Sequence, residues 1–183
     1  VRHSQGAVAP ILAQQSIREM ARTGRTPQQV MDDAARGVFQ ESWQLGFGAD
    51  ADHLKNENDI DVCLSAGFTF FTIDPGEYVD NRAESAGLGE LQELAGQLPT
   101  DMQIRACGLL GRSLKIEHIT VSFDEQTLLK AMVKYGRAVW HVARMYHHLK
   151  MESLTRGCVF ELEVYDDETA QPTSHAEHAY IAS

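Results

Sequence analysis

Positive charge, cysteine and long apolar runs are all scarce in this chain, and each shortage removes a class of function. Its 16 Lys and Arg stand against 26 Asp and Glu, a formal net charge of −10 at pH 7. That balance opposes binding to a phosphate backbone, so no nucleic-acid partner is expected. No segment approaches the ~20 apolar residues of a membrane span, so no membrane partner is expected either. The opening Val1-Arg2-His3-Ser4-Gln5 leads into a mild apolar stretch interrupted by Gln14 and Gln15, which does not read as a signal peptide. Cys63, Cys107 and Cys158 are odd in number, widely spaced and contain no CxxC, and so read as reduced thiols of a cytoplasmic protein. Gly46-Phe47-Gly48 lacks the third glycine and the helix start of a dinucleotide loop. No nucleophile elbow is present, and no pair among His141, His147 and His148 has the HExxH spacing.

What is present is an α/β pattern without internal repeats. The 183 residues suffice for one domain with a core. The chain begins without Met and stops just after a helix has started, so it reads as a piece of something longer, cut at both ends. Val8, Ile11, Leu12, Ile17 and Met20 recur at roughly helical spacing around Pro10. Thr26-Pro27-Gln28-Gln29 is a helix start with a capping box. A strand over 44–53 follows, then a short helix capped by Asn58 and closed by Gly67, then Phe68 to Pro75 as a second strand. Strand, crossover of about a dozen residues and strand fit a parallel βαβ unit. A helix is expected near 88–97, a strand over 114–121, and a long helix from Ser122, with Glu125 closing its box, to about Lys150. Gly136 inside that helix costs ~1 kcal/mol, which implies a close neighbour. Residues 158–168 alternate as a last strand, and a final helix carries Glu177 and His178.

Two strands carry the chemistry. Read at period two, Ala49 and Ala51 share one face and Asp50 and Asp52 the other, with His53 and Lys55 following. In the last strand, Phe160, Leu162 and Val164 oppose Glu161 and Glu163. The second strand also ends on a carboxylate, Asp74. Strands packed outward on helices, with acids and an imidazole at their C-terminal ends, match how a parallel barrel builds an active site. The alternative for each is an antiparallel strand with a solvated polar face. Converging carboxylates suit a divalent cation or paired acid–base work. The histidines of the long helix, with His118, His175 and His178, read as surface or packing residues.

The run Gly48-Ala49-Asp50-Ala51-Asp52-His53-Leu54-Lys55, followed by Ala66 to Pro75, resembles the tagaturonate/fructuronate epimerase family. Glu163-Val164, Asp167-Glu168-Thr169, Pro172-Thr173 and Glu177-His178 look like a second block of that family, and Arg25 to Met31 also fits. The resemblance implies a metal-dependent (β/α)8 barrel, only partly contained in this chain, that interconverts D-tagaturonate and D-fructuronate. The two ketose acids differ at a carbon β to the ketone, which enolisation cannot reach and retro-aldol cleavage with re-closure can. By resemblance, Asp52 is the proton acceptor, Glu163 the acid partner and His53 a ligand of a divalent metal (Zn, Mn, Co or Ni). Asp50, Lys55, Asp74 and Glu161 are substrate contacts or orienting groups, with Glu161 a rival to Glu163. Lys55, Arg82 and Arg112 are candidates to meet the substrate carboxylate. Further metal ligands are expected beyond Ser183, so the isolated piece is expected to bind metal poorly and to turn over little. A homo-oligomer is compatible with this reading. The rivals are the same chemistry on a neutral or phosphorylated ketose, and a non-catalytic sugar-acid binding protein.

Overall fold

A computed structural model describes residues 8–165, 169 and 171–183. Asp166, Asp167 and Glu168, assigned above to the end of the last strand, lie outside the described residues. In chain order the elements are β1 (Ile11–Ser16), α1 (Ile17–Thr23), α2 (Pro27–Gln40), β2 (Gly48–Leu54), α3 (Glu57–Ala66), β3 (Phe70–Ile73), α4 (Leu88–Gly96), α5 (Thr100–Cys107), β4 (Ser113–Ile116), β5 (Ile119–Ser122), α6 (Glu125–Arg156), β6 (Glu161–Val164) and α7 (His175–Ile181). Where the sequence reading takes residues 1–183 as one domain, the contacts gather into two compact units. The first comprises the chain up to Asp74 together with Arg144–Tyr165, and the second Pro75–Ala143 with the described residues after Tyr165.

The first unit is built on a four-stranded sheet of order β1-β2-β3-β6, every pair parallel. Alternation decides which face is dry: Ala49, Ala51 and Leu54 of β2 and Phe71 and Ile73 of β3 are buried. The βαβ reading of 44–75 therefore holds, although the strand starts at Gly48 and α3 is capped by Asn56, not Asn58. Asn56 accepts from the Asp59 amide, and Asp59 accepts from the Asn56 amide, a box that starts the helix two residues before Asn58 could. Gly67 ends α3 at φ 93°, a left-handed position where a β-carbon is disfavoured. The C-terminal half of α6 is tied to α3 by Arg144–Glu57 and His148–Asp61, at 2.8 and 2.7 Å.

The helical spacing expected over 8–22 merged two elements. Ser16 caps α1 and Glu19 returns the bond, which starts the helix at Ile17 and frees Ile11–Ser16 to pair with β2. Ile11 and Leu12 stay half exposed because β1 is an outer strand of this sheet. Glu19 is held below the usual carboxylate range, first by the Ser16 amide and then by the Ser16 hydroxyl.

In the second unit, the single strand expected over 114–121 is an antiparallel hairpin, with Ile116 opposite Ile119 and Glu117 turning at φ 52°. The long helix begins at Glu125, where Asp124 rather than Ser122 receives the Thr127 amide, and it continues to Arg156. The helix expected near 88–97 is α4, whereas α5 was not read from the sequence. The close neighbour implied by Gly136 is Leu98, whose Cδ1 would lie 2.7 Å from an added β-carbon. Leu91, Leu98, Phe123, Leu128, Tyr135 and Tyr180 belong to the core cluster of this unit.

Lys134 is the charged exception in that core. Its side chain is 0% exposed, and Nζ meets Glu84 at 2.5 Å and Glu177 at 3.4 Å. Burial works to lower its pKa, but the Glu84 hydrogen bond and the Glu177 charge outweigh it and leave the ammonium raised. Removing the cation strands Glu177, which is itself buried. Lys134→Met is expected to destabilise the protein by about 3–5 kcal/mol, the usual cost of leaving one partner of a buried pair alone. A raised lysine pKa keeps its stabilising contribution throughout lower pH and loses it only as pH rises through the raised value. The deficit in urea unfolding should therefore persist from about pH 6 to about pH 9. A loss below about 1 kcal/mol would show that the pair does not hold this core.

Candidate active site

Because all four strands are parallel, their carboxyl ends leave the sheet along one edge, where open α/β sheets place their ligands. Asp50 and Asp52 stand on the face of β2 opposite buried Ala49 and Ala51. Simple alternation would then send His53 to the other face. Instead β2 carries one residue more than β3 between the Ala51–Phe71 and Leu54–Ile73 pairs. His53 takes up this bulge at φ 55°, an uncommon conformation for a residue other than glycine. The turn brings Nδ1 to 2.7 Å from Asp52 Oδ1 and sets the imidazole edge-on to Tyr165, with centroids 5.0 Å apart. The other Asp52 oxygen accepts from Gln14 Nε2 at 3.0 Å. Asp52 is thus oriented as an acceptor by neighbours on either side, with lone pairs remaining for a substrate proton.

A second group of acids spans three strands. Thr72 of β3 pairs in register with Glu163 of β6, and its hydroxyl lies 3.0 Å from Glu163 Oε2 and 3.3 Å from Asp50 Oδ1. Thr72 is only 1% exposed. The Asp50 carboxyl is pushed above its ordinary range, first by burial and then by the charge of Asp52, with Glu163 adding to it. The Thr72 hydrogen bond and the His53 charge pull the other way without cancelling this. Asp74 is buried at the end of β3 and faces Lys55 Nζ at 3.5 Å. The Lys55 amide donates to Asp59 at 3.0 Å, which holds the chain as it leaves β2. Glu161 is exposed and precedes Glu163 by two positions on the same face, outside the hydrogen bonds that Thr72 makes.

The sequence reading thus finds Asp50, Asp52, His53, Lys55, Asp74, Glu161 and Glu163 on one sheet of one unit. Arg82 and Arg112 belong to the other unit, and Arg82 is engaged there by Asp80 at 2.5 Å. Two participants were missed. Gln14 lay in the stretch taken as a helix, and Thr72 was passed over although it alternates with Asp74 on the same face of β3. Among the described residues, no three His, Cys, Asp or Glu side chains stand together where they could hold a metal ion. By themselves, therefore, they do not make a metal site. In its neutral form, with Nδ1–H directed to Asp52, His53 would keep the Nε2 lone pair and could serve as one ligand.

Fold and edge together define a parallel α/β protein with carboxylates, a hydroxyl and an imidazole arranged for proton transfer. A family model described as tagaturonate epimerase (UxaE) matches residues 2–183, and the chain belongs to that family. It is 41% identical over 172 residues to the tagaturonate/fructuronate epimerase of Thermotoga maritima, covering 94% of this chain and 34% of that protein. It is also similar to crystal structures of fructuronate-tagaturonate epimerase UxaE from Cohnella laeviribosi, at 38% identity. The form with one glycerol gives a TM-score of 0.85 over 99% of this chain, and the native form 0.84 over 100%. Either comparison covers 37% of the Cohnella chain, so this chain spans little more than a third of its relatives' length.

The crowding at Asp50 has a measurable consequence. A carboxyl whose folded pKa lies above its unfolded value favours the folded state below the unfolded pKa and loses that contribution as pH rises through the folded one. Asp50→Asn is therefore expected to raise the thermal midpoint at pH 7 by a few degrees. That gain should shrink as pH falls toward about 4, where an unperturbed Asp is itself protonated. A melting temperature lowered at every pH would contradict the electrostatic account.

Proposed function

We propose that the polypeptide to which this chain belongs interconverts D-tagaturonate and D-fructuronate by retro-aldol cleavage and re-closure. The observation that carries this reading is Asp52, fixed as an acceptor between Gln14 and His53 in a chain 41% identical to a tagaturonate/fructuronate epimerase. Asp52 takes the proton of the hydroxyl at the epimerising carbon. The C–C bond to the neighbouring carbon then breaks, leaving an aldehyde and an enediolate. After the aldehyde presents its other face, the bond re-forms and Glu163 returns a proton to the new alkoxide. Lys55, already opposite Asp74, is the cation for the substrate carboxylate, while Asp50, Asp74 and Glu161 orient the sugar hydroxyls.

A divalent cation (Zn, Mn, Co or Ni) belongs to this reading. His53 Nε2 is the atom that the described residues offer it, and the other ligands lie in the length of the relatives that this chain does not span. Four parallel strands with β1 and β6 as outer strands are half of a (β/α)8 barrel, closed by the remainder of the polypeptide. The chemistry needs no membrane or nucleic acid. No helix among the described residues is long and apolar enough to cross a membrane.

The test is conversion of fructuronate by the full-length polypeptide after chelation and resupply of each metal. Metal-restored conversion is expected, and Asp52→Asn should reduce it about 10²–10⁴-fold while sugar-acid binding survives. A folded protein that converts no uronate with any metal, yet turns over a neutral or phosphorylated ketose, would overturn the substrate. Binding without any turnover would overturn the enzyme reading.

A further inference from the structure

Thr72 has one hydroxyl hydrogen and two carboxylates to serve. Glu163 Oε2 at 3.0 Å and Asp50 Oδ1 at 3.3 Å are both within hydrogen-bond reach of Oγ1, and Thr72 is 1% exposed. With both acids ionised, a single hydrogen cannot satisfy the two contacts, and one would set oxygen lone pairs against each other. A proton on one acid removes the conflict: that acid donates to Oγ1, and the hydroxyl donates to the other. We propose that Thr72 is a positioning residue that relays a proton from Asp50 to Glu163, so that the acid of the epimerisation is recharged from within the sheet. The inference rests on Glu163 acting as the acid in the reading above.

The transfer balances. Before Glu163 gives up a proton to the product alkoxide, the Thr72 Oγ1–H bond breaks and an O–H bond forms on the ionised Glu163. At the same time the Asp50 O–H bond breaks and its proton restores the Thr72 hydroxyl. No electrons are lost, and Asp50, only partly buried, recovers a proton from solvent. Of the two acids, Asp50 is the better holder of the resting proton. Burial and the charges of Asp52 and Glu163 disfavour its ionised form. The groups that bear on this proton come from each strand of the sheet: Gln14 through Asp52, then Asp50, Asp52 and His53, then Thr72 and Asp74 with Lys55, then Glu161 and Glu163. Register makes the relay possible, because Thr72 and Glu163 are partners in the β3–β6 ladder and Asp50 lies on the strand at the other side of β3.

The experiment compares wild type with Thr72→Val and Thr72→Ser in the full-length polypeptide. Valine keeps the shape and removes the hydroxyl, whereas serine keeps the hydroxyl. Thr72→Val is expected to lower kcat for fructuronate about 10–100-fold with KM within about threefold, and to displace the alkaline limb of the kcat–pH profile. Thr72→Ser should restore both. Infrared spectra of the carboxyl stretch give a readout independent of turnover. As pH is raised, the folded wild type should show a carboxyl that stays protonated above the ordinary Asp range, that Asp50→Asn abolishes, that Thr72→Val shifts and that Thr72→Ser preserves. The spectra remain informative if uronates are not the substrate, so failure of the epimerase reading and failure of the relay are distinguishable. Absence of any carboxyl that stays protonated above the ordinary Asp range, or a Thr72→Val enzyme with unchanged kcat and pH profile, would overturn the relay. A variant changed only in melting temperature would reduce Thr72 to packing.

Discussion

Everything at the candidate site depends on parallel pairing interrupted by one extra residue. Parallel strands send all their carboxyl ends to the same edge, so Asp52, Asp74 and Glu163 arrive together without any loop to carry them. The bulge between Ala51 and Leu54 then does what alternation cannot. It turns His53 back beside Asp52 and lets Leu54 return to a buried position opposite Ile73. Without it, the imidazole would point into the apolar layer beneath the sheet. A left-handed φ at His53 costs of order 1 kcal/mol, and the structure offsets it with the Asp52 contact and the Tyr165 edge.

The parts legible in the sequence are those in which a local rule and the tertiary demand agree. Asp50 and Asp52 against Ala49 and Ala51 form a period-two pattern that the sheet preserves. Thr26-Pro27-Gln28-Gln29 is a capping box that starts a helix as expected, whereas the Ser174–Glu177 box that starts the expected last helix was not read from the sequence. The interpretation failed where two local rules competed. Ile11 to Met20 holds helical spacing, yet Ser16 and Glu19 place a helix start in its middle. Ser122 and Glu125 make a plausible box, yet Ser122 remains in β5, where its hydroxyl meets Ser113, and Asp124 takes the cap. Gln14 and Thr72 escaped notice because neither is a charged or metal-ligating type. Their roles come from strand neighbours separated from them by 38 and 91 residues.

Buried Lys134 and the crowded, partly exposed acids of the sheet illustrate opposite treatments of charge. Lys134 is enclosed, and two carboxylates compensate it, so its charge is stabilised where it sits. At the sheet edge, Asp50, Asp52 and Glu163 share a face beside His53, and Asp50 carries the crowding as a raised pKa. A sheet that needed only stability would gain nothing from such crowding of like charge. The retention of these acids in one register has a chemical rationale. Hydrogen bonds aimed at Asp52 favour an acceptor, whereas burial and like charge at Asp50 favour a donor. In the proposed reaction the base on β2 and the acid on β6 stand with β3 between them, which suits a proton removed on one side of a cleavage and returned on the other.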